Sequence, residues 1–281
     1  MLALAVTLAL VAGSVLFLRH ARAHSRAPET THRAANLATP PLLKALSGVI
    51  ESVAGEYSRF RERVALDAFV RSGQPLYCGG SKGRYVALTF DDGPGAYSEL
   101  ALRILRREHV KATFFLVGWK AAGRSELAMQ ESETHVLGSH SWSHVSLPPL
   151  STKGIERQIV RSERAIARAT GERVRLFRPP YGDHDLRVDR IARREGLLEV
   201  LWSIDSRDSQ GANWRQVGRN VLRDVRPGSI ILLHDNRGQA LRALRYIILP
   251  GLARRGYVPV TVPELLVLDP PPTGGPRDRC G

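Results

Sequence analysis

Tyr85-Val86-Ala87-Leu88-Thr89-Phe90-Asp91-Asp92-Gly93-Pro94-Gly95 is the stretch around which the chain is organised. An apolar run leads into two adjacent carboxylates, and Gly93, Pro94 and Gly95 break the backbone directly afterwards. The pattern reads as a buried strand over 85–90 ending in a sharp turn, with both aspartates at the strand's end. Unpaired charges at the tip of a core strand lose their hydration, so a cation or a basic partner has to compensate them. The alternative is an Asx-turn carrying two solvated acids. The residues at the ends of the other strands decide between the two.

Downstream, apolar runs at 112–117, 135–138, 174–177, 198–204, 230–233 and 257–260 read as further buried strands. Helical patterns lie between them, around 98–109, 151–169, 186–195, 214–225 and 239–254. Ser151 is an N-cap for the second of these and Gly171 its stop. Regular strand–helix alternation, with no internal repeat, predicts a parallel sheet, open or closed into a barrel.

The ends of these runs carry the chemistry. The third is followed by Ser139-His140-Ser141-Trp142-Ser143-His144. Two histidines four apart share a face if the segment is helical, which suits one metal ion. Joined by a carboxylate from another strand end, they make a two-histidine, one-carboxylate set that leaves positions open for water and substrate. After the fourth run comes Arg178-Pro179-Pro180-Tyr181-Gly182, where the prolines stiffen the turn and the arginine is a natural partner for a carboxylate such as Asp91. Trp202-Ser203-Ile204-Asp205-Ser206-Arg207-Asp208 follows the fifth and Leu232-Leu233-His234-Asp235 the sixth. In a βα barrel such strand ends converge on one mouth.

T-F-D-D-G, H-S-W-S-H, R-P-P-Y-G, D-S-R-D and L-L-H-D, in this order and at these separations, resemble the polysaccharide deacetylase family, the NodB-homology carbohydrate esterases. The resemblance covers 84–268 and implies a distorted (β/α) barrel. It also implies removal of acetyl groups from N-acetylated, or sometimes O-acetylated, sugars with a divalent metal, commonly zinc, with cobalt, manganese or nickel as the other candidates. It makes Asp92, His140 and His144 the metal ligands and Asp91 the general base that takes the proton of the attacking water. Arg178 would orient Asp91, the Tyr181 amide would help hold the oxyanion, and Leu232 would line the acetyl pocket. His234 becomes the general acid toward the leaving sugar amine, with Asp208 as its charged partner. Ser209 stands where the family often has an aromatic residue and Thr134 where a glycine is common, so one wall of the sugar site and one turn depart from the pattern.

The whole chain fits this reading. Its 281 residues, 43% hydrophobic and 24% charged, suit one large α/β domain plus an extension. A net charge of +14 comes from scattered arginines, which favours polyanions such as nucleic acid, anionic lipid or an anionic cell wall. There is no basic-aromatic nucleic-acid motif; the resemblance implies an N-acetylated polysaccharide as partner, and a monomer is the expected state. Cys78 and Cys280 lie too far apart for a CxxC motif; they form either one disulfide tying the domain's ends or a pair of free thiols.

Residues 1–18 are apolar apart from Thr7 and Ser14, and Arg19 follows, so 1–23 reads as a signal peptide or membrane anchor, with Ala21-Arg22-Ala23 as a cleavage site. Arg19 and Arg22 follow the run and no basic residue precedes it, an asymmetry that alone would keep the body in the cytoplasm. The expectation adopted is export, with the body extracytoplasmic, secreted or anchored. Residues 24–41 read as a linker and 269–281 as a flexible tail. Leu46, Ile50, Val53, Tyr57, Phe60 and Val64 give 42–72 the spacing of an amphipathic helix, packed on the domain or standing as a stalk. His20, His24 and His32 lie in the leader or linker, His109 at a helix end and His135 at a strand start; His184 either has a structural role or borders the substrate groove. Rival functions on the same residues are an O-acetyl esterase acting on xylan, a sugar-binding pseudoenzyme, and a nucleic-acid or membrane-surface binder.

Overall fold

β1 (Tyr85–Gly93) is the central strand of the computed structural model, which describes residues 41–272. Its odd and even positions go to different places. Val86, Leu88 and Phe90 enter a core under the surrounding helices, whereas Ala87 joins a second core that also takes Phe115, Leu176, Leu198 and Ile230. This is the period-two alternation of a strand buried on both faces. Thr89 and Asp91 continue the Ala87 side, so the first aspartate emerges above the second core.

β2 (Thr113–Leu116), β3 (Val136–Ser139), β4 (Leu176–Phe177) and β5 (Leu198–Glu199) follow one another from β1 in parallel register. On the other side lie β7 (Ile230–His234) and then β6 (Ile204–Asp205), while β8 (Val258–Val260) pairs with Tyr85–Ala87. The parallel sheet curves without closing, because β5 and β6 occupy its two opposite edges.

That arrangement corrects one expectation. The run 198–204 reads as a single strand, but its ends belong to β5 and β6, and residues 200–203 cross the open seam. Two things satisfy the backbone there. The Leu76 amide donates to the Glu199 carbonyl at 2.8 Å, and the Leu201 amide donates to the Leu76 carbonyl at 2.7 Å. The Arg178 side chain donates to the carbonyls of Val200 and Leu201, both at 2.9 Å. Periodicity cannot see a change of partner in mid-run.

The chain divides into two units at Ser52 and Val53, and among the described residues the first holds the start of a helix, Pro41–Ser72. The expected stripe on this helix remains exposed at Ile50, Val53, Tyr57, Phe60 and Val64; burial begins at Leu66 and Val70, which join the second core. Helices at Gly118–Gly123, Ser125–Ser132 and Val262–Leu268 add to those expected. The last begins with a capping box between Thr261 and Glu264, a signal present in the sequence. Ser151 and Gly171 bound the helix Thr152–Thr170 as anticipated, with Gly171 at φ 75°. Asp269, expected in the tail, is buried, and its carboxylate accepts from the Lys82 and Gly83 amides. Among the described residues no helix is long and apolar enough to cross a membrane. Residues 1–40 and Cys280 lie outside the described residues, and with them the leader, the linker and one end of the cysteine pair.

Candidate active site

The register of β1 against β7 sets Asp91 opposite His234, and that of β3 against β4 sets Ser139 opposite Phe177, bringing His140 and Arg178 together. The expected residues from β1, β3, β4 and β7 therefore meet at the carboxyl ends of the strands. Asp208 arrives from the short turn after β6, and Leu232, two residues before His234, shares its side of β7.

Arg178 is fully buried and organises one side of the site. Its Nη1 donates to Asp91 Oδ1 at 2.7 Å and to Thr89 Oγ1 at 2.9 Å, and the guanidinium lies 4.1 Å from the centre of the Phe115 ring. Together with the two seam carbonyls, these contacts give a desolvated cation a full set of partners. Asp91 is 2% exposed, and its second oxygen, Oδ2, lies 3.6 Å from His140 Nε2.

His140 Nδ1 lies 2.7 Å from the Arg178 carbonyl. A carbonyl only accepts, so Nδ1 carries the proton and the bare Nε2 faces the aspartates. Burial lowers the His140 pKa, which favours this neutral form despite the nearby carboxylates. Asp92 Oδ1 is 3.8 Å from His140 Nε2 and 3.0 Å from His144 Nε2, yet it is buried without a well-formed hydrogen bond. Ligand atoms from Asp92, His140 and His144 all lie within 4.8 Å of one another. Burial would raise Asp92, but His144, His140 and His234 together hold it well below the usual carboxylate range. An unprotonated imidazole nitrogen facing an orphaned carboxylate oxygen is a cluster of electron pairs that a divalent cation fits.

The backbone at this site is unusual. Asp92, Ser141, His144 and Tyr181 all have positive φ, at 74°, 61°, 57° and 64°. Such conformations cost about 1–3 kcal/mol each away from glycine and persist only where surroundings enforce them. Gly93 has a different constraint: a Cβ there would lie 2.7 Å from Asp235 Oδ2. Beneath it Ser98 donates to the Asp235 carboxylate, which burial raises to about 7.

On the opposite side, His234 Nδ1 lies 2.7 Å from Asp208 Oδ1, while the His234 amide donates to Asp208 Oδ2 at 2.8 Å. Burial pulls the His234 pKa down, but the hydrogen bond and charge of Asp208, then Asp91 and Asp92, overcome it and lift it to about 9. Asp205 accepts instead from the Arg207 amide and from Gln210. Tyr181 is exposed, with its ring edge-on to His144 at 4.8 Å between centroids. Leu232 is buried.

Sequence reasoning missed two residues that grip Asp92. Lys120 Nζ donates to its carbonyl at 2.7 Å, and Asn236 Nδ2 donates to Oδ2 at 3.1 Å. Neither lies in a motif by itself, although Asn236 directly follows L-L-H-D. Two other described histidines are engaged elsewhere: His135 accepts from the Ala112 amide through Nδ1, and His184 faces Asp189 and Glu199.

The family model described as polysaccharide deacetylase matches residues 79–200. A peptidoglycan-N-acetylglucosamine deacetylase of Listeria monocytogenes is 37% identical over 182 residues, covering 64% of this chain and 38% of that protein. The chain thus spans about two-fifths of that relative's length. A chitooligosaccharide deacetylase of Azorhizobium caulinodans is 33% identical over 189 residues, covering 61% of this chain and 90% of that protein. The crystal structure of the Bc1960 peptidoglycan N-acetylglucosamine deacetylase superposes with a TM-score of 0.65 at 32% identity, covering 68% of this chain and 91% of that one. On this shared sequence and fold, the chain belongs to the polysaccharide deacetylase family.

Proposed function

We propose that the protein is a metal-dependent N-deacetylase of an N-acetylglucosamine polymer, with peptidoglycan ahead of chitin-like oligosaccharides as substrate. One observation carries the reading: Asp92, His140 and His144 converge beside the Asp91–Arg178 pair, with the His234–Asp208 pair carried on the strand next to Asp91. Relatives named as peptidoglycan and chitooligosaccharide deacetylases support the substrate class, and the net charge of +14 suits an anionic wall.

Asp92 Oδ1, His140 Nε2 and His144 Nε2 would hold the divalent cation, with zinc favoured by the mixed imidazole–carboxylate set. A cation held there would supply Lewis acidity toward the acetyl carbonyl and toward the attacking water. Asp91 accepts the proton of the attacking water through Oδ2, the oxygen that Arg178 leaves free. His234, charged at neutral pH, gives its Nε2 proton to the sugar nitrogen as the carbon–nitrogen bond breaks, and Asp208 stabilises the ring's charge until then. Acetate and the free amine leave. The Tyr181 amide would steady the developing oxyanion, and Leu232 would pack against the acetyl methyl.

Acetate release from N-acetylglucosamine oligomers, peptidoglycan and acetylated xylan tests the assignment. Release from the N-acetylated substrates is expected. Release from xylan alone would make the protein an O-acetyl esterase, and no release from any would leave only sugar binding. A second expectation concerns Asn236. Outer partners of metal ligands typically contribute about 10- to 100-fold to metal affinity, so Asn236→Ala should weaken zinc binding by that factor in competition with a chelator. Unchanged affinity would remove Asn236 from the account.

A further inference from the structure

A second group of ligand-type side chains, distinct from Asp92, His140 and His144, is brought together from three elements. His184 lies in the loop after Gly182, Asp189 in the first turn of the helix Leu186–Arg194, and Glu199 at the end of β5. His184 Nδ1 is 2.8 Å from Asp189 Oδ1 and 3.4 Å from Glu199 Oε1, and one ligand atom from each residue lies within 4.8 Å of the others. The reaction described above uses none of them.

Glu199 is the informative member. It is 5% exposed, and among the described residues neither carboxylate oxygen has a hydrogen-bond partner. His184 Nδ1 carries at most one proton, and its short contact is with Asp189. The neighbouring helix is rich in arginine, yet Arg187 is engaged by Asp185 and two carbonyls, and Arg194 by Glu156 and Glu195. Among the described residues Glu199 forms no ion pair with a guanidinium, so a buried carboxylate faces a second carboxylate and an imidazole. Burial pushes Glu199 up to about 8, with Asp189 adding to the rise against the pull of His184.

We propose that His184, Asp189 and Glu199 form a second divalent-cation site, separate from the Asp92–His140–His144 cluster. One imidazole with two carboxylates suits zinc, manganese, cobalt or nickel. His184 and Asp189 are partly exposed, which gives an ion a route from solvent to the buried Glu199. A bound ion would tie the loop that follows Tyr181 to a helix and to the edge strand at the open seam. The site would stabilise the fold beside the turn carrying Tyr181 rather than take part in deacetylation.

The test is equilibrium dialysis of the chelated full chain against zinc alone, with metal counted by elemental analysis. The variant carrying both His140→Ala and His144→Ala removes two ligands of the first cluster, so the second site is read without it. This variant is expected to retain about one zinc per chain. Adding Asp189→Asn or His184→Ala, both at partly exposed positions, should remove that zinc, with folding checked by circular dichroism. No zinc in the double variant, or zinc that survives both further substitutions, would overturn the proposal. Loss of zinc from wild type on His140→Ala and His144→Ala reports on the first cluster separately.

Discussion

Asp91→Asn is expected to lower turnover by about 10²- to 10⁴-fold, the usual range for a general base, while zinc stays bound. The substitution leaves Asp92, His140 and His144 in place and removes only the carboxylate beside them. It should also destabilise the fold. Arg178 is fully buried, and Asp91 is its only ion-pair partner among the described residues. Breaking such a pair from one side typically costs about 3–5 kcal/mol, because the remaining charge stays desolvated. The hydroxyl of Thr89 and the carbonyls of Val200 and Leu201 still hold the guanidinium, so the lower end of that range is expected. Arg178→Met should be the more damaging change. It strands the Asp91 carboxylate and leaves two seam carbonyls without their donor. Urea denaturation, zinc content and acetate release, measured together on both variants, check this. Near-normal turnover in a folded Asp91→Asn protein would remove the base from the mechanism.

Asp208→Asn is expected to shift the alkaline limb of the pH–rate profile downward and to cost about 10²-fold or more in turnover at neutral pH. His234 is lifted to about 9 chiefly by Asp208, against a burial effect that pulls it down. A raised histidine is protonated below its folded-state pKa and loses the proton as pH rises through it. The wild-type limb should therefore fall at or below about pH 9, since a bound dication also disfavours the charged ring. Without the Asp208 carboxylate burial is opposed only by the charges of Asp91 and Asp92, and the limb should move down toward the ordinary histidine value of about 6.5. Geometry adds a second effect. The two Asp208 oxygens face His234 Nδ1 and the His234 amide, so one donor of an asparagine must oppose one of them. Zinc content should not change. An unaltered profile would mean that Asp208 does not support the acid.

Much of the site is legible in the sequence because each motif directly follows or ends a buried strand, and parallel strands deliver their carboxyl ends to one face. The aspartate pair, the spaced histidines, Arg178 and His234 all meet for that reason. The features that escaped reading depend on contacts between distant segments. The run 198–204 looks like one strand because apolar periodicity carries no record of which neighbour each residue pairs with. Lys120 and Asn236 reach Asp92 only through the fold, and nothing in their local sequence points there. The helix Pro41–Ser72 has the spacing of an apolar face, but spacing does not say what covers it, and Tyr57, Phe60 and Val64 remain exposed. His184 lies just past the arginine motif, yet the chain turns it toward Asp189 and Glu199.

The central claim is that acetyl removal depends on a cation held by Asp92, His140 and His144. Acetate release from N-acetylglucosamine oligomers by chelated protein, before and after zinc is added back, tests it most directly. The account predicts loss of turnover on chelation and recovery with zinc in the wild type, and no recovery in His140→Ala. Full turnover by the metal-free protein would contradict it.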